Sequence, residues 1–356
     1  MKKIQLRLLI GASPSKIFHL EEFAKRLEKY NIECKVVIDT DFYSGFPSRK
    51  FSNWFDSGKK IKGLLEDFKP HAVFIDRQTN FGLKIVENNI PLLVHLRGDF
   101  WSEIEMAKKT LYKYPPKRNV ISIKEKIATK CFENASLILP ICKYLENIVN
   151  QKFPQKKSDV LYQGINPDNW YYESGMELKH PCVGLLQSSI IWGKTKQMLI
   201  LKKVMEKMPN VTFYWVGDGP YKEKILPELT KHPNFKWLGP LKYPNEVRKY
   251  LSEIDVYSLL TGIDMSPLTL QEAQLMQKPV IATQIGGVPE LMSDKNTGFL
   301  IKPNDSSELE EYLTLLLSDE KKRKDMGKNG HEFVKNNFSW DVITKQFSET
   351  IKDFQK

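Results

Sequence analysis

The segment "SPLTLQEAQLMQKPVIATQIGGVPELM", residues 266 to 292, sets one acid, Glu272, inside an apolar run and follows it with a Gly286-Gly287-x-Pro-Glu turn. Ser266 is a candidate helix cap and Pro267 suits a first helical position, which predicts a helix reaching about Met276. Free N–H groups and the dipole at such an N-terminus suit a diphosphate. A carboxylate about one and a half turns further in can accept hydrogen bonds from vicinal hydroxyls such as a ribose diol. "KPVIATQIGGVPELM" then reads as a buried strand, a loop at Gly286-Gly287 and a new helix from Pro289. Two adjacent strand-to-helix loops would form a wall for a polyhydroxylated phosphate ligand. Against this stands the ordinary use of a helical glutamate, in solvent or paired with a lysine.

A second candidate is "VTFYWVGDGPYKEKI", in which a β-forming run ends at Gly217-Asp218-Gly219-Pro220 and a helix follows, with Pro220 in its first turn. Such a turn lets backbone amides approach an anion, although it also serves as a bare connection. A rival constellation is Asp39-x-Asp41 after the apolar run "CKVVI", since paired carboxylates suit a divalent cation holding a diphosphate. The four cysteines, Cys34, Cys131, Cys142 and Cys182, lack C-x-x-C spacing, and the six histidines show no helical ligand pair. They read as reduced thiols of a cytosolic protein, with neither zinc nor a disulfide framework expected.

These candidates need elements to hold them. Apolar runs alternate with amphipathic stretches from "IQLRLLIGA" through "IPLLVHLRG", and again from "PCVGLLQSS" through "NTGFLI". This is the α/β rhythm of strands buried between helices. At 356 residues the chain exceeds one usual core. Two doubly wound α/β domains are predicted, joined near residue 173 within the polar stretch "YYESGMELKH", with a cleft between them as the default site. A mean hydropathy of −0.41 fits a packed globular chain. No run approaches the ~20 apolar residues of a spanning helix. The net charge of +11 favours anionic partners without choosing among them.

The segment "DMSPLTLQEAQLMQKPVIATQIGGVPELM…TGFLI" resembles the E-G-F-G-x-x-x-x-E signature of retaining glycosyltransferases of the GT-B fold, family four (glycosyl transferases group 1). The resemblance extends to "LLIGASPSKIFHLEEFAKRL", "PLLVHLRGD", "DVLYQGINPDNW", "WVGDGP" and "NNFSWDVITKQF". It implies two Rossmann-like domains facing across a cleft. The acceptor-side domain would span 1–172 and be completed by a helix over 338–356; the donor domain would span 173–337. It also implies that Glu272 binds the nucleotide ribose, that Asp264 contacts the donor sugar, and that His95 lies near sugar and phosphate. Lys194 would balance charge on the leaving diphosphate, amides around Leu268 and Thr269 would hold the distal phosphate, and Gly11 would let its loop approach the phosphates. Gly217 and Gly219 would complete the donor wall.

Four places depart from the family pattern, the first being Asp264, a shorter acid at the spacing of the family's first glutamate. Ser189 stands where the family's arginine precedes the lysine, Met265-Ser266-Pro267 replaces Gly-Phe-Gly, and Gln163 replaces the asparagine before Gly164. The implied activity is retaining, metal-independent transfer of a sugar from a nucleotide diphosphate donor to an acceptor hydroxyl, without a cofactor. The alternative is a catalytically impaired sugar-nucleotide-binding protein. No nucleic-acid module is recognisable. The basic and aromatic stretch "MAKKTLYKYPPKRNVISIKEK", residues 106 to 126, suggests peripheral contact with an anionic membrane carrying the acceptor, from the cytoplasmic side.

Overall fold

The computed structural model describes residues 6–48 and 50–355. It divides into two compact units, one running to Gly164 and resuming at Trp340, the other spanning Ile165–Ser339.

In the first unit β1 (Leu6–Ala12), β2 (Ile32–Ile38), β3 (Ala72–Ile75), β4 (Leu92–Leu96) and β5 (Leu137–Pro140) form a sheet in the order β2-β1-β3-β4-β5. Every pairing is parallel. Parallel neighbours need helical crossovers, which cover both sheet faces; β3, β4 and β5 are accordingly buried at every residue. The helix Ile17–Leu27 meets the helix Trp340–Thr350, and the Phe23 ring lies 5.0 Å from that of Phe347 and 5.8 Å from that of Trp340. Gly164 lets the tryptophan in, since a Cβ there would stand 2.1 Å from its ring.

In the second unit β6 (Cys182–Leu186), β7 (Thr212–Val216), β8 (Phe235–Gly239), β9 (Val256–Leu259), β10 (Val280–Thr283) and β11 (Gly298–Ile301) form a six-stranded parallel sheet. Its order is β11-β10-β9-β6-β7-β8. Each sheet therefore has one place where consecutive connections depart in opposite directions, between β1 and β3 in the first and between β6 and β9 in the second. Ligands of open α/β sheets bind in the crevice beyond the carboxyl ends at such a reversal.

Several expected boundaries shift. The division falls at Gly164/Ile165 rather than near 173, because the Ile165 N–H donates to the Phe338 carbonyl and Arg248 grips both the Asn169 carbonyl and Glu173. The acid-bearing helix spans Leu268–Leu275 with Pro267 as its cap residue in an extended conformation; Ser266 does not cap it. Pro289 opens no long helix but sits in the short 3-10 turn Val288–Leu291. The helix after β7 starts at Lys222, beyond Pro220.

Trp340→Ala should remove about 3–5 kcal/mol of stability, the usual range for a large aromatic lost from a packed core. Chemical denaturation followed by fluorescence would measure it, and a loss below about 1 kcal/mol would mean that the returning helix contributes little to the first unit.

Candidate functional site

The second unit brings the two charged candidates together. Lys194 lies in the helical turn Trp192–Thr195 after β6, and Asp264 lies in the loop after β9. The Lys194 ammonium is 2.9 Å from Asp264 Oδ2, so the pair closes across the β6/β9 reversal. The other oxygen, Oδ1, accepts the Met265 N–H at 3.0 Å. The glycine-rich loop packs on the same acid: the Gly287 N–H donates to the Asp264 carbonyl at 3.0 Å. Gly286 adopts φ +54°, and a Cβ on it would stand 2.2 Å from that carbonyl. Glycine follows the acid-bearing segment because two loop backbones must touch.

Glu272 is 3% exposed. Burial pushes its carboxyl up to about 8, offset in part by a hydrogen bond from the Tyr243 hydroxyl. It neither faces solvent nor pairs with a lysine among the described residues. At the start of its helix, Leu268 and Thr269 have N–H groups that precede any intrahelical acceptor. Tyr257 on β9 steadies that end, its hydroxyl donating to Thr269 Oγ1 at 2.8 Å. Burial raises the Tyr257 pKa, opposed by the Thr269 hydrogen bond and reinforced by the Glu272 and Asp264 charges. Ser266 Oγ, beside this helix end, is buried without a hydrogen-bond partner among the described residues.

The turn after β7 and Ser189 take other roles than the sequence suggests. A Cβ on Gly217 would come within 2.1 Å of the Gln187 carbonyl, and one on Gly219 within 2.6 Å of the Ser189 carbonyl carbon. Their φ angles, +147° and +145°, are also glycine territory. The Gly219 N–H is held by Asp218 Oδ1, so that amide is already satisfied. Ser189 is fully buried, its N–H donating to the Asp218 carbonyl and its Oγ without a partner among the described residues. These residues join the loops after β6 and β7 to each other, and their glycines allow that close approach.

In the first unit two expected site residues lie within strands. Gly11 lies inside β1, where a Cβ would be 2.8 Å from the Phe81 ring; the glycine makes room for a core aromatic. His95 is buried in β4 against Phe74, and neither ring nitrogen has a hydrogen-bond partner among the described residues. Desolvation and the Arg97 charge hold its pKa down at about 3, so the ring is neutral. A gap of about 20 Å³ beside it, bordered by Leu20, Trp340 and Ile343, is room for one water. The residue presented at the strand end is Arg97, which sequence reading missed. It lines a cavity of about 1040 Å³ at the β1/β3 reversal, whose wall includes Ser13, Lys16, Asp76 and Arg77.

Asp39 and Asp41 do not act as a pair. Both Asp39 oxygens are engaged, Oδ1 by the Thr40 N–H and Arg77 and Oδ2 by Thr79, while Asp41 is exposed. His180, Cys182 and Asp255 do converge, at the amino ends of β6 and β9. There Asp255 Oδ2 accepts the Cys182 N–H, and burial with the Asp255 charge keeps the thiol protonated, its pKa pushed up to about 12.

Comparison with known proteins bears on this geometry. Residues 193–333, which include Lys194, Asp264 and Glu272, match the model of the family described as glycosyl transferases group 1. The matched residues all lie within the second unit. An uncharacterized glycosyltransferase of Methanocaldococcus jannaschii is 27% identical over 212 residues, 58% of this chain and 57% of that protein. The sulfoquinovosyl transferase of Arabidopsis thaliana is 30% identical over 46% of this chain and 33% of its own length. The chain thus spans only about a third to rather more than half of these relatives. Among solved structures, sucrose-phosphate synthase from Thermosynechococcus elongatus superposes with a TM-score of 0.75 at 13% identity over 98% of both chains. Anabaena HepE, solved with UDP-glucose, superposes at 0.70 with 16% identity over 98% of this chain and 100% of that one. Both units of this chain have the Rossmann-like GT-B architecture of these neighbours.

The buried Glu272 carboxyl has a cost. A group with a raised folded-state pKa binds more protons folded than unfolded, so stability falls as pH rises between the unfolded value near 4.5 and the folded value of about 8. Glu272→Gln should remove that fall and make the protein at least as heat-stable as the parent at pH 8. Melting temperatures of both proteins across this window would show it, and parallel curves would mean that Glu272 is not the buried titrating group.

Proposed function

We propose that this protein is a retaining, metal-independent glycosyltransferase, with the donor's nucleotide diphosphate held by the second unit. The observation that carries the reading is the Lys194–Asp264 bridge across the β6/β9 reversal, beside the helix that bears buried Glu272. In this reading Glu272 accepts from the ribose diol, displacing the Tyr243 hydroxyl, and the Leu268 and Thr269 amides meet the distal phosphate. Asp264 orients the sugar, and Lys194 leaves its partner to stabilise charge that develops on the departing phosphate. The C1–O bond to phosphate breaks as the acceptor oxygen bonds to C1 on the same face, and the acceptor proton passes to the leaving phosphate oxygen. His95, buried and neutral, has no place in this scheme. The family match and the solved UDP-glucose complex of HepE support a nucleotide-sugar donor.

A peripheral membrane contact belongs to the same reading. Leu111 and Tyr114, 77% and 68% exposed, stand in the basic stretch expected to meet lipid, and Phe51 and Phe55, 65% and 76% exposed, add a second apolar cluster in the first unit. No helix among the described residues is long and apolar enough to cross a membrane. Flotation with anionic vesicles, weakened by Phe55→Ser and Leu111→Ser, would support contact; recovery that ignores anionic lipid would remove it.

Calorimetric titration with UDP, GDP, ADP and their sugar conjugates, with and without chelator, tests the donor site. One nucleotide should bind saturably and independently of chelator, and Glu272→Ala should weaken it about tenfold or more. Because the diol favours the ionised carboxylate, affinity should rise with pH through about 8. Absence of binding, or turnover abolished by chelator, would overturn the metal-free donor site; binding without transfer would make the protein an impaired family member.

A further inference from the structure

The first unit's cavity is built differently from the donor crevice, and its charge does not balance. Five of its wall residues are cationic and three are acidic, among the described residues. The acids are in part already used. Asp76, 4% exposed, takes Arg97 Nη1 at 3.0 Å on Oδ1 and the Ser13 hydroxyl at 2.7 Å on Oδ2. Arg77 is matched by Asp39 from behind the wall.

Lys16 has no such partner. It makes no ion pair among the described residues, although it is half-buried at the same corner. Burial and the Arg97 charge push its pKa down, with Asp76 only partly opposing, and the same two cations help hold His19 down at about 4. One carboxylate is therefore facing two cations in a partly desolvated corner, which is a standing excess of positive potential.

Arg97 is also fixed in place. Asp76 holds one end of its guanidinium and Gln163, itself 5% exposed, accepts from Nη2 at the other. A guanidinium has five N–H donors, so donors remain for a ligand beyond these two bonds. A preorganised arginine next to an unpaired lysine matches the geometry of a phosphoryl oxygen cluster.

We propose that this cavity receives an anionic acceptor, with a phosphate group on the acceptor seated between Lys16 and Arg97. The inference rests on the glycosyltransferase reading for the word acceptor, and it extends that reading to a substrate class. The cavity volume accommodates a saccharide beside the phosphate. Its rim supplies a route for an apolar tail. Ser48, Lys50 and Asn53 come from the segment that exposes Phe51 and Phe55, and Phe100 and Ile104 come from the helix that leads to Leu111. Phosphate on a soluble sugar and phosphate on a lipid share the recognised chemistry.

The test uses the full chain, without donor, and glucose 1-phosphate against methyl glucoside as soluble probes, with vesicles of phosphatidylcholine alone or with phosphatidic acid as lipid probes. At least one phosphate-bearing probe should bind more tightly than its neutral counterpart. Lys16→Ala should weaken that binding about tenfold or more, and Lys16→Arg should restore most of it. Dependence on Lys16 in the vesicle arm alone assigns the phosphate to a lipid, and dependence in the soluble arm alone assigns it to a sugar phosphate; either supports the site. Equal binding of charged and neutral probes, or no phosphate binding in either arm, overturns the proposal. So does a Lys16→Ala variant that loses UDP as strongly as the phosphate probe, because the cations would then serve the donor. Loss of the donor reading has a separate signature, no nucleotide binding that responds to Glu272→Ala, and it leaves the phosphate arms readable.

Discussion

Both candidate sites depend on one constraint, the reversal of strand order in a parallel sheet. Parallel neighbours require crossovers, and where successive crossovers leave for opposite faces the two loops at the carboxyl ends separate. In the second unit the loops after β6 and β9 flank that gap, and Lys194 and Asp264 reach across it to each other. In the first unit the segments after β1 and β3 do the same, and the Ser13–Asp76 hydrogen bond spans them. The sheet decides where polar side chains can converge without unravelling the core.

The glycines near these sites are best understood as contacts between backbones. Gly286 rests on the Asp264 carbonyl, Gly217 on that of Gln187, and Gly219 on the Ser189 backbone. In each case a Cβ would occupy the space of a peptide group on the neighbouring loop. The loops that bear functional candidates thus support one another directly, and their rigidity comes from close approach rather than from side-chain packing. Gly11 is a different case, a strand glycine that admits an aromatic ring to the core.

Buried ionisable groups divide along functional lines. Glu272 keeps a costly carboxyl that among the described residues has the Tyr243 hydroxyl as its partner, and Lys16, with no ion pair among them, stands beside an Arg97 that already holds Asp76. Such imbalance destabilises the protein alone and is relieved by a ligand of the right charge or hydrogen-bonding pattern. His95 shows the opposite: a titratable ring taken out of play by burial in β4, neutral at every ordinary pH.

Much of the architecture was legible because its signal is local. The alternation of β-branched runs with amphipathic stretches gave the α/β class and two doubly wound units, and the spacing from Asp264 to Glu272 pointed to the acid-bearing helix. Residue types alone could not tell His95 from Arg97, two positions apart near one strand end, because only the strand's depth in the sheet decides which is buried and which reaches the cavity. The same holds for Gly11 and Ser189, whose neighbours Phe81 and the Asp218 turn are distant or folded back in sequence. The unpaired Lys16 was equally invisible, since its environment is made by Asp76 and Arg97, residues 60 and 81 positions away. The sequence by itself determined the periodicities, and through them the sheets and the family signature; the tertiary structure alone decided which side chains meet, since burial and charge balance are sums over neighbours that the chain brings together only on folding.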